Sequence, residues 1–191
     1  MPYPLRALAV FACAAAVYAQ APQPSTGAAP GLEASWEIAP VLTEISAHAG
    51  RLLPLLDKLD VHAWVAKGAS DTYAQQLQSS KEQARALVVE AKALAGNPEQ
   101  LSAALQLVFR IQGLETMLTS VGEAIRRYQT PADAQELAAV VAEDGAARDR
   151  LQRYVVNLAA EREQDLKVMD REAQRCRGIL TQAPPKTGRK K

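Results

Sequence analysis

Through most of residues 42–176, in several successive stretches, apolar or small side chains recur every three or four positions. Leu42, Ile45, Ala49, Leu52, Leu56 and Leu59 fall on one face of a helix at that spacing. Pro54 lies within this stretch, where it removes one backbone donor and crowds the preceding turn, so a single kinked helix is expected. A short piece over Val61–Lys67 follows, with Gly68 as its stop. Ser70 is a suitable N-cap for a second helix, whose seam is Tyr73, Leu77, Ser80, Ala84, Leu87, Ala91 and Leu94. Gly96 is read as its left-handed terminus. Asn97-Pro98-Glu99-Gln100 then reads as a cap, a proline at the first helical position and a Gln bonding back to the cap.

A third helix is expected from Pro98 to Gln129, with Val108, Ile111, Leu114, Leu118, Val121, Ile125 and Tyr128 on its seam. Arg126 and Arg127 sit in its last turn, where positive charge suits the exposed carbonyls. Thr130-Pro131-Ala132-Asp133 repeats the cap-proline device. Helices that stop and restart within about three residues must reverse tightly and lie antiparallel.

The remaining segment, Pro131 to Arg177, would be roughly 70 Å long as one straight helix, against about 48 Å for the third. Its seam passes Leu137 and Val141 and then meets Asp144, Gly145 and Arg148. We therefore divide it into Pro131–Glu143 and Ala146–Arg177, leaving open whether the break is a loop or a bend. Leu151, Val155, Ala159, Leu166, Met169, Ala173 and Cys176 line the final helix, and Gly178 is expected to close it. The pairs Asp144–Arg148, Asp149–Arg153 and Glu163–Lys167 read as a solvated side, each adding only about 0.2–0.5 kcal/mol. The pattern predicts an all-α fold, an up-and-down antiparallel bundle of four long helices with a short fifth element, over residues 36–180. No repeat of the length found in solenoids is visible.

Composition narrows the class further. The 191 residues include 37 Ala and 22 Leu but only 5% aromatics, which argues against a sandwich, a barrel or a large parallel sheet. Residues 1–19 read as a signal peptide: Arg6 precedes an uncharged run from Ala7 to Ala19, and Val17 and Ala19 are small residues before Gln20. That run is shorter than the about 20 residues needed to span a bilayer, so no transmembrane segment is expected after cleavage. Cys13 suggests a lipidation site, but the apolar run continues past it, so ordinary cleavage is the preferred reading. Residues 20–35, rich in Pro, Ala, Gly and Ser, read as a disordered leader, and residues 181–191 as a basic disordered tail. Cleavage would remove Arg6 and leave 21 basic and 21 acidic side chains, so no global field favours nucleic acid. Lys186, Arg189, Lys190 and Lys191 of the tail offer at most an anionic-surface contact.

Candidate chemistry is sparse. Glu44 and His48, four apart, are weak metal-ligand candidates, but no Glu-x-x-His tetrad accompanies them, and His48 reads as a residue flanking the seam. Covalent haem attachment lacks its motif, and a haem held by His48 or His62 with Met117 or Met169 is the weaker reading beside Met as core filler. Phosphate loops, nucleophile elbows and metalloprotease helices are missing from the sequence. After signal cleavage Cys176 has no partner in the chain; its place on the seam favours burial, with an intermolecular disulfide as the alternative. Trp36 and Trp64 are read as packing over the bundle end or as anchors for a partner. The expected function is that of an exported, secreted or periplasmic, non-enzymatic bundle with no cofactor. It would act through protein–protein contacts, including a homodimer; the alternative is a periplasmic bundle that binds a small ligand, metal or haem.

Overall fold

The computed structural model describes residues 35–181; the expected signal peptide with Cys13, most of the leader, and the tail lysines and arginine lie outside the described residues. Six helices follow one another: α1 (Ser35–Asp57), α2 (Val61–Ala66), α3 (Thr72–Gly96), α4 (Leu101–Tyr128), α5 (Pro131–Ala142) and α6 (Gly145–Thr181). Among the described residues there is no strand. α1 continues through Pro54 as one helix.

α1 packs on α3, α3 on α4, and α4 on both α5 and α6, while α1 closes the ring against α5 and α6. Cross-links fix the directions. Ser46 donates to the Val88 carbonyl while Asp57 meets Lys81, so α1 and α3 are antiparallel. Arg110 reaches Glu90 and Gln83, and Ser120 reaches Gln76, so α3 and α4 are antiparallel too. Arg148 meets Glu115 and Arg162 meets Glu99, so α6 runs down α4 in the opposite sense. α5 and α6 thus form one broken fourth column of an up-and-down bundle.

The expected seams of the first three long helices form most of the core. Leu42, Ile45, Ala49, Leu52 and Leu56 of α1, Leu77 to Leu94 of α3, and Ile111 to Ile125 of α4 are buried. Each large aliphatic side chain so buried contributes about 1.5–3 kcal/mol. Ser80 is tolerated on its seam because its hydroxyl donates to the Gln76 carbonyl of its own helix at 2.8 Å. α2 caps one end of the bundle with Trp64, whose ring meets Tyr73 edge-on at 6.5 Å. Tyr73 in turn meets Tyr128 at 6.2 Å.

The turns differ in how well local rules foresee them. Gly68 has φ +91, and a Schellman pair closes α2, Ala69 N–H to the Trp64 carbonyl and Gly68 N–H to the Val65 carbonyl. Thr130 caps α5 as expected, its hydroxyl accepting the Asp133 N–H at 3.2 Å, with Pro131 at the first turn. At the start of α3 Asp71, not Ser70, stands in the N-cap place, and the Ser70 hydroxyl accepts the Thr72 N–H at 3.2 Å from one residue before it. The Gly96 reversal is a correction. Among the described residues Gly68 is the only one with positive φ, and α4 begins at Leu101 with Gln100, not Asn97, before it. Pro98 disfavours the helical region for the residue preceding it, and Asn97 leaves α3 with φ −149 and ψ 74. The proline therefore ends α3, and no left-handed glycine is needed.

Candidate functional site

Two features carry chemistry: a polar cluster inside the bundle and a length of helix outside it. The cluster forms where the fourth column breaks. Glu143 and Asp144 make the turn between α5 and α6, which resolves the break as a two-residue turn. Asp144 continues the seam but is not solvated there: its side chain is 5% exposed. It is met by His48 of α1, whose Nδ1 lies 3.0 Å from Asp144 Oδ2. Arg148, one turn on, brings Nε to 3.0 Å from the other carboxylate oxygen, and its guanidinium also pairs with Glu115 of α4. The Asp144–Arg148 contact is close but not directed along a hydrogen bond, so it acts through charge. On the rim, Arg51 of α1 donates to Glu143 at 2.9 Å. The expected solvated pair Asp144–Arg148 is therefore corrected to a half-buried link among α1, α4 and α6, because His48 and Glu115 close over it.

His48 is 4% exposed, and its second nitrogen, Nε2, lies 2.6 Å from the Val140 carbonyl. A carbonyl can only accept, so Nε2 carries a proton there. Burial, the largest single influence, disfavours the imidazolium, and the Arg51 charge opposes it as well. The hydrogen bonds to Asp144 and Val140, with the Asp144 charge, outweigh them and raise the His48 pKa above its ordinary value. Both ring nitrogens then donate, and the imidazolium ties α1 to the last turn of α5 and to the break beyond it.

This geometry bears on each candidate from the sequence. Glu44 is exposed while His48 is turned inward onto Asp144, so the two do not converge. Among the described residues no three of His, Cys, Asp and Glu gather closely enough to hold a metal ion. His62 is exposed on α2, and Met117 borders a shallow cleft with Tyr73 and Gln76, apart from the His48 cluster. Trp64 is 1% exposed and donates from Nε1 to Gln129 at 3.2 Å, so it packs the bundle end and is not free to anchor a partner. Trp36 lies in the first turn of α1, and its side chain lies outside the described residues. A cleft of about 240 Å³ opens between α4 and α5, lined by Leu118, Gly122, Leu137 and Val141 with Arg126 and Arg148 beside them. No helix among the described residues is long and apolar enough to cross a membrane.

The second feature is the end of α6. Arg162 is held at 3.0 Å by Glu99, which lies in the turn between α3 and α4 at the end of the bundle. Every residue from 163 to 181 is exposed. At about 1.5 Å per residue this arm projects roughly 28 Å past Arg162. The apolar stripe of the core nevertheless continues along it. Leu166, Met169 and Leu180 are 64%, 65% and 84% exposed, and Ala173 and Cys176 fall between them. Two expectations are corrected here. Cys176 and its seam neighbours are exposed, because α6 outlasts every helix beside it. Gly178 does not close the helix, which continues to Thr181.

Sequence reasoning found the stripe, and the length of the final segment beside the shorter third helix pointed to an overhang; what it misjudged was the burial of Cys176 and its seam neighbours on that overhang. It also missed the Asp144–His48 pair, whose members stand 96 positions apart and share no local pattern. Compared with protein-family models, with curated proteins and with solved structures, the chain matches none.

Proposed function

We propose that this protein is exported and works without catalysis, as a helical bundle that presents the arm at residues 163–181 to another protein chain. The observation that supports the reading is the arm itself, a helix carrying a regular apolar stripe that no other described residue covers. In proteins most helical stability comes from packing of the apolar face, and this part of α6 has its apolar face exposed. Export rests on the residue 1–19 pattern, and intact-mass measurement of the secreted form should show a chain beginning at Gln20.

Site-specific photo-crosslinking in the producing cell tests the arm. A photoreactive residue at Met169 should give protein adducts, whereas one at Val89, equally exposed on the bundle wall at 66%, should give few. Equal yields at both positions would sink the reading.

One observation favours a second reading, an apolar small-ligand carrier: the cleft between α4 and α5 with Arg126 and Arg148 beside its aliphatic wall. A medium-chain fatty acid should raise the thermal midpoint, and Leu137→Arg should abolish the rise. No shift with any aliphatic carboxylate removes this reading.

A further inference from the structure

The arm has a charge asymmetry that its stripe alone does not require. Residues 163–170 hold Glu163, Asp165 and Asp170 against one base, Lys167. Residues 171–181 hold Arg171, Arg175 and Arg177 against one acid, Glu172. One half is acidic and the other basic, and the stripe runs through both. Leu166, Met169, Ala173, Cys176 and Leu180 follow the three-four spacing of a coiled-coil seam.

We propose that the arm pairs with the arm of a second copy of this chain, antiparallel, in a closed two-fold dimer. The proposal rests on the preceding reading of the arm as the working surface and names its partner. Antiparallel alignment is the one that turns the acidic residues toward the basic end of the second copy; parallel alignment stacks like on like. A register centred between Gln174 and Arg175 places Met169 across from Leu180 of the second copy and Ala173 across from Cys176. Residues 168–181 of the two copies then overlap, with the small residues at the middle, where the helices approach closely, Met169 and Leu180 at the ends, and Leu166 beyond the overlap. Asp170 flanks the seam against Arg177 of the second copy, and the two-fold axis repeats that contact. The parallel alternative brings Asp165 beside Asp170 of the other chain.

Other occupants fit less well. The leader, residues 20–34, offers Leu32 as its one large aliphatic side chain, too little to cover a stripe of this length. A disulfide through Cys176 does not fit the antiparallel register either. It offsets the two cysteines by about 4.5 Å along the axis as well as across it, beyond the about 7 Å Cα limit for a bridge.

Sedimentation equilibrium of the whole protein in reducing buffer, at low and high salt, tests the pairing. The wild-type chain should form a dimer that loosens as salt rises. Asp170→Arg should weaken it about tenfold, Arg177→Asp should do the same, and the double variant should regain the wild-type affinity. The arm makes no buried contact, so these variants leave the bundle folded, and unchanged thermal midpoints would verify that. A monomer at every concentration overturns the proposal. If adducts at Met169 then prove to be with a different protein, self-pairing alone fails and the broader reading stands. A dimer tightened by Asp170→Arg, which signals parallel pairing, overturns it, as does a dimer seen only without reductant.

Discussion

Replacing Asp144 with Asn tests whether the buried cluster holds the broken fourth column in place. The Asn oxygen can still accept from His48 Nδ1, so the shape and one hydrogen bond survive while the negative charge is lost. His48, 4% exposed, and Arg148, 20% exposed at its side chain, then share a pocket with Glu115 as the remaining counter-charge. Hydrogen bonds to a charged group contribute about 1.5–3 kcal/mol, against about 1 kcal/mol for neutral ones. The expected loss from Asp144→Asn is therefore about 1–2 kcal/mol. Asp144→Ala, which leaves buried His48 and half-buried Arg148 facing a gap, should cost about 3 kcal/mol. The imidazole can shed its proton, which keeps the cost of the Ala variant from rising further.

The same cluster predicts a dependence on pH. The groups facing His48 are Asp144 and Glu143 at the turn, Arg51 on its own helix, Arg148 on α6 and, through Arg148, Glu115 on α4. The folded-state pKa of His48 is raised above the ordinary value near 6.5. Protonation therefore favours the folded chain: the stabilisation is complete below about 6.5 and is lost as pH rises through the folded value. Urea unfolding at a series of pH values is the assay, with a slope of about 1–3 kcal/mol per molar expected for this size. Wild type should lose stability through that window, and Asp144→Asn should flatten the loss. An Asp144→Asn midpoint equal to wild type, or a pH profile that the substitution leaves intact, would refute the argument.

Two other expectations are simpler. Gly68→Ala meets no neighbouring atom but must hold φ +91, so it should destabilise the protein by about 1–2 kcal/mol, read as a lowered urea midpoint. Stopping the chain after Glu163 should leave the bundle's unfolding midpoint within about 0.5 kcal/mol of wild type while reducing helical ellipticity, because residues 163–181 are all exposed.

Local rules made most of the bundle legible before any coordinates. The spacing of Leu77, Ser80, Ala84, Leu87, Ala91 and Leu94 identified both the helix and its buried face, down to a serine that bonds back to its own backbone. Thr130-Pro131 and Gly68 marked turns because capping and positive φ are properties of a few adjacent residues. Gly96 misled because two local signals compete there, and the restriction from Pro98 overrides the glycine.

Periodicity is blind to what stands opposite a stripe. Leu151 and Leu166 occupy equivalent places in one helical pattern, yet the first is fully buried and the second 64% exposed. The difference lies in α4, whose 28 residues extend about 42 Å and begin just past Glu99, leaving the rest of α6 without a neighbour among the described residues. Asp144 is the converse case: a carboxylate on an apolar seam reads as an interruption until His48, on another helix, arrives to pair with it. Helix identity and buried face follow from side chains a turn apart. Burial and ionic pairing instead depend on the lengths and packing of helices far apart in the chain.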